Sequence, residues 1–339
     1  MNTEKTMKEK LSNQIQELNE KIDSMTAAPS FNEDPDKVDD VCNLYKESIS
    51  LAYKTDDEWI ISNQLYFYGE FLLGCDMTEE SQKILSQAVS LQRHLADKNV
   101  QVAHLMATAL YDLGYMHENE HEYKKAQGEL EESLSLFSSF NTEDDEATRF
   151  FMALTYKCYG NLFLNRDNDK IKQERYFAKA NDIWKQLSQE NPENTISYIE
   201  SLNDMANIHA NMNRIDDAIE EANEAIKLSE SLEADERAYH LSYSMASMCN
   251  VLMEAGRLEE AEKYALEANA LTPNNHWVYA VLTELRILQK DFSEAEKVID
   301  AFQLIDDDFA KSVLKDILSH ASIFGLDKTQ IDFINKHLI

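Results

Sequence analysis

The sequence predicts an all-α protein built from stacked helix pairs, and three observations lead there. Glycine and proline together number only 11 in 339 residues, too few for the turns of a sandwich, a barrel or a Gly-rich phosphate loop. Hydrophobic residues make up 43% of the chain, enough to bury a substantial core despite the charge. Small residues also recur at a spacing of 12 and then 7 along most of the chain, the mark of one supersecondary unit used repeatedly.

The copies run in order. Gly69, Ser81 and Ala88 form the first, and Gly114, Ala126 and Ser133 the second. Gly160, Gln173 and Ala180 form the third, with one extra residue in the turn. Ala206, Ala218 and Ala225 follow, then Cys249, Ala261 and Ala268, and finally Thr283, Ala295 and Phe302 as the weakest copy. Large apolar residues stand four and one positions before the first small residue each time, as in Leu65 and Tyr68, Leu110 and Leu113, or Leu202 and Met205. Offsets of three and four mark one helix face. Small residues then let the two helices of a hairpin approach, while the large ones fill the space between neighbouring hairpins.

This pattern resembles the tetratricopeptide repeat. The fifth copy carries the likeness most clearly, from Ser242 through the turn at Gly256 to Pro273, where the proline ends the second helix. The resemblance covers about residues 62–309 and implies an α-solenoid of antiparallel helix pairs in a right-handed superhelix, with a concave groove lined by the first helix of each pair. Successive copies are 45, 46, 46, 43 and 34 residues apart, so most are longer than the standard repeat. They look like the extended repeats of kinesin light chains and of bacterial peptide-sensing regulators.

The remaining segments have other patterns. In residues 1–61, Leu11, Ile15, Leu18, Ile22 and Met25 alternate at spacings of 4 and 3, a coiled-coil-like seam. This helix is expected to pack on the first repeat, with homo-oligomerisation through the seam as the alternative. Residues 27–36 read as a linker, and 37–54 as an amphipathic helix that could be half of a degenerate repeat. Residues 310–339 are expected to supply capping helices, because the last hairpin of a solenoid needs a polar-faced cover.

Charge narrows the partners. The chain has 32 basic and 63 acidic residues, a net charge of −31, and residues 199–309 alone hold 8 basic against 24 acidic. Such a field repels phosphate backbones and anionic lipid, so neither nucleic acid nor a membrane surface is expected as a partner. A protein or peptide segment, especially a basic one, fits better. The N-terminus lacks an apolar signal core, and no apolar run is long enough to span a membrane. Cys42, Cys75, Cys158 and Cys249 form no metal-ligand or disulfide spacing and read as reduced thiols in a cytoplasmic protein.

One stretch matches a catalytic motif. His117, Glu118 and His121 satisfy H-E-x-x-H, which on a continuous helix would place two zinc-ligating imidazoles on one face. His121 falls at the turn position that Gly256 occupies in the fifth copy, so the helix should stop before the second histidine. Replacing both histidines with Ala is expected to shift stability by no more than about 1 kcal/mol, as at an ordinary surface site. Glu79-Glu80, Asp216-Asp217 and Glu259-Glu260 precede second helices and complement their dipoles. Neither a catalytic constellation nor a cofactor or metal site is expected, and the protein is read as a non-enzyme.

The functional signal lies one residue after the first small position, where the copies read Glu70, Tyr115, Asn161, Asn207, Asn250 and Glu284. The resemblance turns this position toward the groove. Asparagine both donates and accepts, so a ladder of them can grip the N–H and C=O groups of an extended peptide without demanding a sequence. Asn203, Lys157, Tyr111, Tyr243 and Trp277 are the neighbouring groove candidates. Lys157 and Asn161 match half of a two-carboxylate clamp, but Asp204, Tyr243 and Ser247 stand where its other members belong. The sequence therefore reads as a scaffold binding a peptide or protein segment. The alternative is a peptide-responsive regulator whose superhelix changes pitch when the groove fills.

Overall fold

The structure is a computed structural model that describes residues 2–27, 31, 34–140, 145–322 and 324–338. Half of the expected linker at 27–36, residues 28–30, 32 and 33, lies outside these residues. Among the described residues the regular elements are 15 α-helices and short 3-10 turns, without a strand. Helices α1 (Asn2–Thr26) and α2 (Pro35–Thr55) come first. The helix pairs follow as α3 (Glu58–Gly74) with α4 (Thr78–Gln92), and α5 (Val100–Asn119) with α6 (Tyr123–Ser139). The third copy supplies α7 (Glu146–Asp167) and α8 (Lys170–Glu190). Then come α9 (Thr195–Asn211) with α10 (Ile215–Glu230), and α11 (Ala234–Glu254) with α12 (Leu258–Leu271). The last are α13 (His276–Leu288), α14 (Phe292–Ser319) and α15 (Lys328–His337). The chain divides into two compact units, Met1–Asn168 and Asp169–Ile339, a boundary inside the third copy.

Within the N-terminal unit α3 packs on α4 and α5 on α6; in the C-terminal unit α9 packs on α10, α11 on α12 and α13 on α14. All eighteen small-series positions are buried, from Gly69 to Phe302. The approach inside a pair is close. Ser81 Oγ donates to the Gly69 carbonyl oxygen at 2.8 Å, and Ser133 Oγ to that of Ala107 at 2.7 Å. A Cβ added at Gly69 would sit 2.5 Å from Leu85, and one at Gly114 would sit 2.7 Å from Leu130. Leu85 and Leu130 are themselves fully buried, so neither can swing aside without opening a void.

Each first helix ends in the same way. Asp76, His121, Asn168, Asn213, Gly256 and Lys290 all have φ between 52° and 70°, the left-handed cap that redirects the chain into the second helix. In five copies the next amide bonds back across the turn, as Arg257 N–H does to the Leu252 carbonyl oxygen at 2.8 Å. Glycine, Asn and Asp, which tolerate this conformation, hold four of the six positions, and at His121 and Lys290 the turn is kept on side chains less suited to it. The expected acidic pairs fall in the first turns of α4, α10 and α12, where they complement the helix dipole.

Helix α1 packs on α2. Leu11, Ile15 and Ile22 of its seam are buried, Ile15 in one core cluster with Ala52, Ile61 and Leu65, Ile22 with Phe31 and Val41. Leu18 and Met25, the other two seam residues, are half-buried. Helix α14 is kinked at Asp306, whose φ of −154° and ψ of 92° are non-helical. Its first half completes the sixth pair. Ile299 and Leu314, from opposite sides of the kink, share a core with Ile287 and with Ile334 of α15. No helix among the described residues is long and apolar enough to cross a membrane.

Two alanine substitutions should move stability in opposite directions. Gly114→Ala forces a methyl against Leu130 and should lose about 1–3 kcal/mol, the usual penalty of overpacking. Gly128, exposed in mid-α6 with open space around its Cα, should gain roughly 0.5–1 kcal/mol as Ala through helix propensity. Urea unfolding of the two variants beside the parent measures both.

Candidate functional site

The C-terminal unit carries a cleft of about 480 Å³ whose walls come from the first helices of its pairs and from α14 beyond the kink. The contributing side chains fall in rows set by the repeat. Tyr243 of α11 and Trp277 of α13 occupy one offset, six residues before the small position. Asn207 of α9, Asn250 of α11 and Glu284 of α13 occupy the next row, one residue after it. Asn211 and Glu254 form a third. Helical periodicity puts these offsets on one stripe of each helix, so three parallel helices display three parallel rows. The fourth wall consists of Phe309, Val313, Asp316, Ile317 and His320, with Lys170 and Phe324 at the margins.

Local structure holds the aromatic row in place. Asn275 caps α13 by accepting from the Trp277 N–H at 2.9 Å. The Trp277 ring meets Tyr243 edge-on at 6.5 Å and Phe309 at 5.0 Å, yet Trp277 remains 43% exposed. The electrostatics are lopsided. Burial, reinforced by Glu254 and Asp316, pushes the Glu284 carboxyl up to about 7. Burial also raises Glu254, against the opposing pull of His320 and Lys170, and it raises the Tyr243 phenol. Lys170 Nζ donates to the Asn211 carbonyl oxygen at 3.2 Å, and His320 Nδ1 lies 2.9 Å from the Asp316 carbonyl oxygen.

Of the eight residues singled out by sequence, Asn207, Asn250, Tyr243 and Trp277 line this cleft together. Asn203 does not; this is a correction to the sequence reading. It is fully buried and its Nδ2 donates to Ser244 Oγ at 3.0 Å. Its offset, three before the small residue, faces the adjacent first helix, where α11 covers it. Asn161, Lys157 and Tyr111 belong to the N-terminal unit and are half-buried on α7 and α5, with Tyr111 edge-on to Phe151 at 6.3 Å. That unit also hides two carboxyl groups the sequence reading passed over. Tyr66 Oη donates to Glu70 at 2.5 Å, Asp112 Oδ2 is buried with no hydrogen-bond partner among the described residues, and burial and the repulsion of Glu70 push Asp112 well up. Among the members of the cleft that sequence missed are Asn211, Glu254 and the whole wall beyond the kink. A repeat offset shared with Asn211 could have found Glu254. No periodic signal reaches Phe309 or Asp316.

The H-E-x-x-H stretch does not form a metal face. Helix α5 stops at Asn119 and His121 has φ 63°, so the helical register between the two histidines is broken. Among the described residues no group of three His, Cys, Asp or Glu side chains is placed to hold a metal ion. His117 is instead nearly buried, with its Nδ1 2.6 Å from Glu129 Oε2. His209 repeats the contact with Glu221 at 2.8 Å, again 12 residues on. The histidine is therefore a strut between the two helices of its pair, which corrects the expectation of an indifferent surface site.

Comparison with known proteins agrees with the repeat architecture. Residues 199–232 and 250–314 match family models described as tetratricopeptide repeat. No curated protein matches the sequence. Among solved structures, a Rap protein complexed with Competence and Sporulation Factor is similar with a TM-score of 0.57 and 14% identity, over 97% of this chain and 87% of that one. Aspartyl phosphate phosphatase F from Bacillus subtilis gives 0.54 and 12%, over 96% and 91%. BtubC from P. vanneervenii gives 0.52 and 16%, over 67% and 90%. At such identities the likeness is one of fold.

Two measurements follow. His117→Ala strips Glu129, already pushed up by burial, of its partner and should lose about 1–3 kcal/mol, whereas His121→Gly should gain roughly 1 kcal/mol by relieving the left-handed backbone. Glu284, with a native pKa of about 7, lies above an unfolded glutamate. The native state therefore binds more protons across the window from the unfolded pKa up to 7, and stability falls as pH rises through it. Glu284→Gln should match the parent at pH 5 and exceed it by roughly 1–3 kcal/mol at pH 8. Thermal melts at the two pH values check the sign.

Proposed function

We propose that this chain, which carries tetratricopeptide repeats, is a non-catalytic interaction scaffold that holds a peptide or protein segment against the first helices of its repeats. The observation that carries this reading is the cleft of the C-terminal unit. Asn207 and Asn250 stand side by side in one row with their amides turned to the cleft, and aromatic rings flank them. A backbone amide of a bound strand can donate to one asparagine oxygen and accept from its nitrogen, while Tyr243, Trp277 and Phe309 offer apolar surface to side chains. The fold likeness to a Rap protein, which was crystallised with Competence and Sporulation Factor, supports the same reading. Asn161, with Lys157 and Tyr111, would make corresponding contacts in the N-terminal unit.

A regulator that responds to its ligand is the second reading. It is favoured by the extent of the likeness to the Rap structures, which reaches 97 and 96% of the chain and so takes in α1 and α2. The acidic surface and the array of repeats suit a cytoplasmic protein with a basic or neutral protein partner.

The test is direct. A segment recovered from native lysate on the immobilised protein, and identified by mass spectrometry, is made as a peptide and titrated calorimetrically. Removing an amide from a buried contact costs about 1–3 kcal/mol, so Asn207→Ala and Asn250→Ala should each weaken binding roughly 5- to 150-fold. Folding should stay within about 0.5 kcal/mol, since half-exposed groove amides pack against little. Equal affinities for the parent and the double variant would remove the ladder from the recognition surface.

A further inference from the structure

We propose that the cleft of the C-terminal unit is a socket for a cationic side chain, the guanidinium of an arginine or the ammonium of a lysine in the bound segment, with Glu284 as its anionic partner. This rests on the reading above that a peptide or protein segment occupies this face.

The cleft concentrates negative charge that the protein only partly offsets, through the pull of His320 and Lys170 on Glu254. Glu284, Glu254 and Asp316 bring three carboxyl groups to one cavity from three helices. Among the described residues none of these carboxyls accepts a hydrogen bond or forms an ion pair. Several basic residues of the unit pair away from the cleft, among them Arg214 with Asp217, Arg257 with Glu260, Arg286 with Glu262 and Lys290 with Asp327. Lys170 and His320, the basic groups at the cleft itself, point hydrogen bonds at backbone carbonyls. A buried carboxylate without a partner is costly, and a cation placed beside it removes that cost.

The walls complete the case. Tyr243, Trp277 and Phe309 form a chain of edge-to-face rings with centroids 6.5 and 5.0 Å apart. Such faces pack the methylene stem of a long basic side chain and attract its charged head. An anionic group would meet three carboxylates. An apolar one would leave Glu284 desolvated and unpaired. A metal ion lacks a set of three ligands among the described residues. A cation on an aliphatic stem satisfies both the floor and the walls of a 480 Å³ cleft.

The socket also makes binding depend on pH. Facing Glu284 are Glu254 and Cys249 from α11, Asp316 and His320 from α14, and Lys170 from α8. Glu284 is partly protonated near neutrality, and only its ionised form pairs with a cation. Affinity therefore rises as pH increases through about 7, and binding releases a proton.

The experiment uses the full chain and two 13-residue peptides, an arginine flanked on each side by six glycines and its citrulline counterpart, which keeps the shape and removes the charge; six flanking residues on either side reach from Glu284 to Asn207 in both chain directions. Binding is followed by NMR at the indole N–H of Trp277, one of three tryptophans, assigned by its loss in Trp277→Phe. The arginine peptide should give a saturable shift and bind at least about tenfold more tightly than the citrulline peptide, the scale of one charge-assisted hydrogen bond. Glu284→Gln, whose fold is checked by its melting temperature, should bring the arginine peptide down to the citrulline level and flatten its pH dependence. Equal binding of the two peptides, no saturable shift with arginine, or an arginine preference that survives in Glu284→Gln would each overturn the socket. The double variant Asn207→Ala with Asn250→Ala reads the scaffold proposal separately. Loss of affinity for both peptides alike supports the ladder, whereas an unchanged arginine preference with no loss sinks the ladder and leaves the socket standing.

Discussion

The close approach of two helices at a small residue is the constraint on which the rest of the structure depends. At Gly69 and Gly114 the backbone of the first helix lies directly against Leu85 and Leu130 of the second, closer than any side chain would permit. Once that distance is set, the phase of both helices is set with it. The same contact then decides which stripe of the first helix faces its own partner, which faces the next first helix, and which is left over. The leftover stripe is the one that carries Tyr243, Asn250 and Glu254. The site is thus a geometric remainder of the packing, which explains why its members share offsets from the small residues.

That dependence accounts for how much could be read in advance. The helix pairs were legible because the small and large positions repeat with a period that only helical hairpins satisfy, and a short side chain at a close contact admits few substitutes. Part of the cleft was legible for the same reason, since Asn207, Asn250, Tyr243 and Trp277 inherit their orientation from the repeat. Asn203 was misplaced because an offset of three still looks exposed on an isolated helix; only the presence of Ser244 on the neighbouring helix shows that it is covered. Phe309 and Asp316 were invisible because they follow the kink at Asp306, beyond which no repeated offset exists to count from. Likewise the role of His117 depends on Glu129, a partner on the other helix of the pair, and a local motif cannot report it.

Charge is distributed with the same logic. Outward-facing carboxylates stand in first turns or pair with nearby basic residues, as Glu260 does with Arg257. The inward-facing ones, Glu284 in one unit and Asp112 in the other, are raised by burial. A chain with a net charge of −31 has few cations to spare for its interior surfaces, and at the cleft Lys170 and His320 donate to backbone carbonyls.

The row formed by Asn207, Asn250 and Glu284 has one more consequence, for the length of what it binds. Packed helices stand about 8–10 Å apart, while an extended strand advances about 3.3 Å per residue. Neighbouring rungs therefore meet a strand about every third residue, and an odd step turns successive contacted residues to opposite sides of the strand. From the first amide to the carboxyl at the far end is about six residues. On the proposed reading a ligand would be measured as well as gripped: two amides would accept any backbone, but the charge that follows them would have to arrive at one register.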